Sequence, residues 1–388
     1  MKKTVAVIFG GRSAEHDVSI ITAHIPIIES LEASGRFDVV PVYLAADGSS
    51  YSEPAMSRLE YFRRPSFSTA IPDSARLRFL FDGGLTLVWP GLREKRRRID
   101  VVFPAMHGTN GEDGSLMGLL RLANVAFVGC DLGPSAVAMD KVFTKQILSA
   151  AGVPVVPFAW MTPADWQQRR DEMLARIKGL HWPVFVKPVH LGSSIAISKA
   201  QTDDELLNAI EVAFHYDDKI LVEEAVEPLI EITLPIIGND ELQLGGLERP
   251  LNRTEFLDFN DKYLSGSPTK LAGVNANYSE IPARIDDELA ARVKQLGGQT
   301  YRILGCSGIA RIDFLINAKT HDVFVNEVNT LPGSLYHHNW RAVGVSNVEL
   351  VTRLIELAEQ RFQQQRSRTT SFNSNILQHV TGQKTQRP

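Results

Sequence analysis

Cysteine is scarce in this 388-residue chain: there are two, Cys130 and Cys306, far apart in sequence. They make no CxxC and no zinc spacing. Both read as small buried hydrophobes in a reducing compartment. Long apolar runs are missing too. No segment offers the ~18 apolar residues of a membrane span. The run Val5–Phe9 is too short for the apolar part of a secretory signal and stops at Gly10-Gly11 without a small-residue cleavage site. The cytoplasm is therefore the expected location, with no membrane partner. An excess of one charge is lacking as well. The formal net charge of −4 gives no general electrostatic basis for binding nucleic acid. No internal repeat is present.

What is there is ordinary globular material, 44% hydrophobic and 22% charged, enough for two or three domains at roughly 100–200 residues each. The short β-branched run Thr4–Phe9 reads as a buried strand, Asp17–Leu31 as a helix and Val39–Leu44 as a strand. Residues 46–98 are mixed, and the basic cluster Arg93 to Arg98 reads as a solvated surface turn. Strands at Asp100–Pro104 and Val125–Gly129 flank a helix at Ser115–Leu122. This alternation implies an α/β unit with a mostly parallel sheet over residues 1–132. A second unit, 133–224, carries a helix at Ser135–Ala150, strands at Pro183–Lys187, Ile195–Ser198 and Lys219–Glu223, and a helix at Asp203–Phe214. A third, 225–362, has strands at Glu231–Ile237, Ser307–Ile316 and Val323–Val328, with helices at Asp286–Leu304 and Val348–Gln360. Residues 363–388, rich in Gln, Ser and Thr, read as a frayed tail.

The third unit carries the most informative chemistry. Arg311 and Asp313 share one face of a predicted strand, as do Glu327 and Asn329 on the next. If those strands are neighbours, one patch holds two carboxylates, an amide and a guanidinium. Such hard oxygen donors suit Mg²⁺ bound beside substrate phosphates, and the arginine suits phosphate or oxyanion charge. The alternative, a surface salt-bridge ladder, fits poorly with apolar Ala310, Ile312, Phe314, Val325 and Val328 around it. In the second unit Lys187 ends a strand and Gly192-Ser193-Ser194 follows. That arrangement can wrap phosphates or be a plain turn. Glu223-Glu224 ends another strand, suited to an adenine amino group and ribose or merely to solvent. In the first unit two glycine-rich loops, Gly10 to Asp17 and Gly108 to Gly114 after His107, sit where open α/β sheets bind ligands. Neither reading of them, turn or site, is favoured by spacing alone. The loop at Gly10-Gly11 is neither a dinucleotide fingerprint nor a P-loop.

Taken together, the strings FGGRSAEHDVS, HGTNGEDG, SAVAMDK, VKP with GSS, ILVEE, DKY, ARIDF and NEVNTLPG resemble the D-alanine–D-alanine ligase family of the ATP-grasp superfamily. The likeness runs from about Val5 to Ala358 and is weakest over 46–98. It implies an ATP-grasp fold, α+β in its ATP-binding part, behind an N-terminal parallel-sheet domain. It implies ATP and Mg²⁺ (or Mn²⁺), with two ions, amino-acid substrates and a homodimer. Lys141, Lys187, Glu223 and Glu231 match ATP contacts, with Ser193, Ser194 and Glu224 beside them. Asp313, Glu327 and Asn329 match the magnesium ligands. Glu15 matches the acceptor of the first amino acid's ammonium, with His107 nearby. Ser193 and Tyr263 link that glutamate to a closing loop that also holds Lys262, and 258–281 is the lid candidate. Arg311 and the Gly333 amide match the oxyanion-binding pair. The implied reaction activates a carboxylate as an acyl phosphate and joins it to an amine.

The chain departs from the pattern after Gly333. The family usually has a short threonine- and serine-containing segment there, then a serine that grips the second substrate's carboxylate. Here Ser334-Leu335-Tyr336-His337-His338-Asn339 reaches Trp340 in fewer residues. Ser334 can take the serine's place only along a different backbone path. Leu257 also stands where the family often has tyrosine. Three readings follow: a D-alanine–D-alanine ligase, a relative recruited to another amino acid or to a cyclisation, and a non-catalytic nucleotide-binding protein. The intact Lys141, Lys187, Arg311, Asp313, Glu327 and Asn329 argue against the third.

Overall fold

The computed structural model describes residues 2–192, 194–251 and 279–369. The expectations at Ser193, Leu257, Lys262, Tyr263, most of the lid candidate and residues 370–388 lie outside them.

In the first unit the strand Lys3–Gly10 is central, flanked in parallel by Phe37–Leu44 and Val101–Pro104, with Ala126–Phe127 parallel beyond the latter and Ser50–Tyr51 antiparallel at the other edge. Val5 to Phe9 are all buried, as a parallel strand covered on both faces requires. The first helix runs on past its expected end. It starts at His16 and reaches Ser34, with a wider π-type stretch at Ala23–Ile28 around Pro26. The basic cluster is not a turn. Lys95–Arg98 forms an edge strand of a three-stranded antiparallel sheet with Leu85–Trp89 and Arg78–Phe81. Its arginines stay largely exposed and pair with Glu94, Asp38 and Asp82, and charge along an edge strand discourages further pairing.

The second unit is a four-stranded antiparallel sheet in the order Ser198–Ala200, Val184–Pro188, Ile220–Glu224, Phe158–Met161. The helix Asp203–Tyr216 packs Leu206, Ala209, Ile210 and Ala213 onto it. The strand expected at Ile195–Ser198 falls later, at Ser198–Ala200. The helix expected over Ser135–Ala150 is two helices, Leu132–Met139 and Lys141–Ala150. Asp140 lies between them in extended conformation, and its carboxylate caps the second through Phe143 N at 2.8 Å.

The third unit orders Leu242–Leu244, Leu229–Gly238, Gly308–Asn317 and Val323–Asn329 in an antiparallel sheet. Ile232, Leu234, Ile236, Ala310, Ile312, Phe314 and Val328 bury one face against Leu289, Val293 and Leu296 of the helix Asp287–Ile303. The other face carries the polar residues. The last helix, Asn347–Arg366, continues past the boundary expected at residue 362. Its Val351, Leu354, Ile355 and Ala358 share a core with Val5, Val7, Ile27 and Leu31, so it ties the third unit to the first.

Candidate functional site

Antiparallel register brings the expected patch together. Arg311 pairs with Asn329 and Asp313 with Glu327, and directly opposed residues share a face. The ladder is irregular here: Phe314 pairs with Val325, which leaves Asn326 unopposed beside Glu327. This bulge resets the alternation, so that Val323, Val325 and Val328 are all buried while Glu327 and Asn329 face the site. Arg311 Nε and Nη2 lie 2.6 and 2.5 Å from the two Asp313 oxygens, and the Asn329 amide donates to Asp313 Oδ2 at 3.2 Å. Burial pushes the Asp313 carboxyl up to about 6. Glu327 adds to the rise, and Arg311 opposes it.

Facing this row is a cluster of lysines. Lys141, the first residue of its helix, donates to Leu191 O at 2.7 Å and lies 3.9 Å from Glu327. Lys187 and Lys145 close on the two oxygens of Glu223, the latter at 2.8 Å. Glu223 and Lys145 are each 1% exposed. Burial alone would raise the Glu223 carboxyl, but the two lysines outweigh it and hold it at about 2. Burial drives Lys145 below the usual ammonium range. The cleft between is lined by Glu112, Lys141, Leu191, Glu327, Asn329 and Thr330, so all three units meet there.

On the first-unit side, Glu15 starts the helix His16–Thr22. Gly108, at φ +67°, could not carry a side chain: a Cβ there would sit 2.6 Å from Ser13 Oγ and 2.9 Å from Glu15 Oε2. A Cβ on Gly192 would be 3.7 Å from the same Glu15 oxygen, so Glu15 lies against Gly192. His107 is buried, with Nε2 2.8 Å from Thr22 Oγ1 and Nδ1 3.4 Å from Glu112. Burial lowers its pKa, but Glu112 and Glu15 outweigh that and raise it. The Thr22 hydroxyl also accepts from Ser334 N at 3.0 Å. In the shortened loop Ser334, Leu335 and Tyr336 all take left-handed backbone angles, φ 50°, 52° and 49°, strained for non-glycine residues. Leu335 is buried, and the Tyr336 ring lies 4.6 Å from the Arg311 guanidinium carbon.

Two family descriptions match the chain: D-ala D-ala ligase N-terminus over residues 4–130 and D-ala D-ala ligase C-terminus over residues 147–356. The chain belongs to the D-alanine–D-alanine ligase family. A D-alanine–D-alanine ligase of Natranaerobius thermophilus is 36% identical over 97% of this chain and 100% of its own length, and D-alanine–D-alanine ligase A of Escherichia coli K12 is 34% identical over 93% and 96%. Among solved structures, the VanG D-Ala:D-Ser ligase of Enterococcus faecalis superposes with a TM-score of 0.77 at 30% identity, covering 92% of this chain and all of the other. The D-alanine–D-alanine ligase of Coxiella burnetii gives 0.77 at 30%, over 94% and 96%. The fold is ATP-grasp, and the family's enzymes form a C–N bond with ADP and phosphate as products.

Within this ligase framework Glu223 and Glu224 face opposite ways, as successive strand residues do. Glu224 accepts from His181 N at 3.0 Å, away from the lysines. Glu223 has both oxygens on lysines. Lys145 was missed. Its signal was a lysine between Val142 and Leu148 on the buried stripe of the helix, where an unpaired charge would be costly.

His190 was also missed. It joins the loop after Val184–Pro188 to Asp140, just before the helix beginning at Lys141, with Nδ1 2.9 Å from Asp217 and Nε2 3.4 Å from Asp140. Hydrogen bonds to Asp140 and Asp217 raise its pKa to about 9 against partial burial. A raised histidine stabilises fully below its ordinary 6.5 and loses that contribution as pH climbs through about 9. The His190→Gln variant will therefore melt below the parent at pH 6.5, with the gap closing by about pH 10. A gap that is constant across a thermal-shift pH series would show that the charge is not what matters.

Proposed function

We propose that this chain couples two D-alanine-type amino acids at the expense of ATP, through an acyl phosphate. The observation that carries the reading is the row Asp313, Glu327 and Asn329 facing Lys141 across a cleft that the first unit's Glu112 also lines. Those three residues would hold magnesium, with two ions matching the resemblance. The donor set fits: all hard oxygen donors, crowded enough that Glu327 adds to the rise in the Asp313 carboxyl's pKa. When bound, magnesium supplies Lewis-acid neutralisation of the transferring phosphoryl group.

The chain's own groups do the rest. Lys141 and Lys187 hold phosphate oxygens, and Glu231 reaches the nucleotide from the strand that also holds Thr233. Glu15 accepts the first substrate's ammonium, near His107. Arg311 and the Gly333 amide bind the oxyanion formed when the amine attacks. Ser334 meets the second carboxylate. Ser193, Ser194, Lys262 and Tyr263 complete the closure that keeps water from the acyl phosphate. We take the working species to be a homodimer, which sedimentation would check.

Phosphate release from ATP with D-alanine as the sole amino acid will be robust. Silence with D-alanine, and release with another amino acid in a panel of D- and L-forms, would move the chain to the second reading, the same activation with a different acceptor. The left-handed path of 334–336 favours keeping that reading, since a contact displaced by about 1 Å changes which acceptor is productive.

A further inference from the structure

The polar row on the third sheet does not end at the metal-type ligands. Beyond Asp313 the next strand places Thr233 directly opposite, and Thr233 in turn bridges to Glu248. Glu248, Thr233, Asp313 and Glu327 therefore run side by side across the sheet on one face, with successive members about 5 Å apart. Glu248 is 8% exposed, and a buried carboxylate needs a partner. That partner is His338, from the shortened loop, with Nε2 3.2 Å from Glu248 Oε2. Burial raises the Glu248 carboxyl, but His338, with Ser279 and Asn339, outweighs it and holds it below the ordinary range.

The pair leaves one ring nitrogen over. With Nε2–H donating to Glu248, Nδ1 carries the lone pair. It is shielded from solvent and has no hydrogen-bond partner among the described residues. The His338 ring is 5.2 Å from the Tyr336 ring, and that ring is 4.6 Å from the Arg311 guanidinium. His338 thus stands one side chain away from the oxyanion-binding arginine. An imidazole oriented by a buried carboxylate, with its other nitrogen buried and unpartnered, is the arrangement of a general base that an incoming amine can complete.

Resting on the ligase reading above, we propose that His338, oriented by Glu248, takes the proton from the incoming amino acid's ammonium group. An ammonium has no lone pair, so amide formation cannot begin until one proton leaves. His338 Nδ1 accepts that proton, and the freed amine attacks the acyl-phosphate carbon. The C–N bond forms, and the C–O bond to phosphate breaks as the tetrahedral oxyanion at Arg311 collapses. The amine's second proton departs with the phosphate, leaving a neutral amide, hydrogen phosphate and a protonated His338 that loses its proton to water once the products leave. His337, Tyr336 and Arg341 flank the imidazole on its own segment, and Glu248 faces it from the sheet.

Hydroxylamine separates this role from a structural one, because at neutral pH it is already an unprotonated amine and needs no base. The experiment compares dipeptide formation with hydroxamate formation from ATP, magnesium and D-alanine, in the parent chain and in the His338→Gln and Glu248→Gln variants. We expect His338→Gln to lose dipeptide synthesis by about 10²-fold or more, the scale of general base catalysis, while its hydroxamate rate stays within about twofold of the parent. Glu248→Gln will show a smaller loss confined to the dipeptide. Equal loss of both products in His338→Gln overturns the proposal in favour of a structural role, and equal retention of both overturns it outright. A parent chain that makes neither product from any amino acid would instead count against the ligase reading itself.

Discussion

Asp313→Asn and Glu327→Gln will each lower turnover by about 10³-fold or more while the chain remains folded. Each variant removes one of the two carboxylates in the set Asp313, Glu327 and Asn329 and keeps the side chain's shape. A divalent cation is worth several kcal/mol to the transferring phosphoryl group, and each 1.36 kcal/mol is tenfold in rate, so losing most of the cation's hold gives the stated scale. The amide is preferred to alanine for a structural reason. Arg311 is part-buried with both Asp313 oxygens on it, and alanine would strip it of that close partner and leave only Glu327 at 3.9 Å, confounding catalysis with stability. Asparagine can still accept from Arg311. The check is steady-state phosphate release across a magnesium titration, with a thermal melt alongside. A fully active Asp313→Asn chain would overturn the metal assignment.

Glu223→Ala will be the most destabilising single change in the second unit, by about 3–5 kcal/mol, the usual cost of leaving a buried charge without its partner. The physical case is the stoichiometry of the cluster: two lysines, one of them 1% exposed, close on one carboxylate. Removing the shared partner strands two cations at once. Part of the cost will be avoided if Lys145 gives up its proton, toward which burial already pushes it. Lys145→Met should be much milder, since it removes one charge and leaves the Lys187–Glu223 pair. The folded-state pKa of Glu223 is depressed to about 2. Its contribution is therefore fully present above the ordinary carboxylate value of 4.5 and lost as pH falls toward 2. Urea melts at pH 7 would rank the three chains. If Lys145→Met were as damaging as Glu223→Ala, charge balance would not be the governing term.

The parts legible in the sequence were those written in short periods. Period-two spacing placed Arg311 with Asp313 and Glu327 with Asn329, and register then joined the two pairs. The parallel sheet followed from strand–helix alternation in the same way. What period could not reveal was where the pattern breaks. The bulge at Asn326–Glu327 shifts the alternation by one residue with no special residue type to mark it. The interruption at Asp140 was readable in principle, because aspartate is a strong N-cap, but the apolar pattern runs through it and reads as one helix. Lys145 and Glu223 resisted for a different reason: each looks solvent-facing by residue type, and only the fold shows that they satisfy each other in a place water does not reach. Glu248 and His338 are 90 positions apart, so no local pattern could link them.

The tie between Ser334 and Thr22 has a consequence for comparing this chain with its relatives. Ser334 contributes its main-chain N–H, so any residue except proline at 334 leaves that anchor in place. The receiving hydroxyl belongs to one particular side chain 312 positions earlier, and His107 shares it. The course of the loop after Gly333 is therefore encoded mainly at a position outside the loop. Two chains could spell residues 334–339 quite differently and still follow one course, whereas valine at position 22 would release the loop and the histidine together without altering a letter of either.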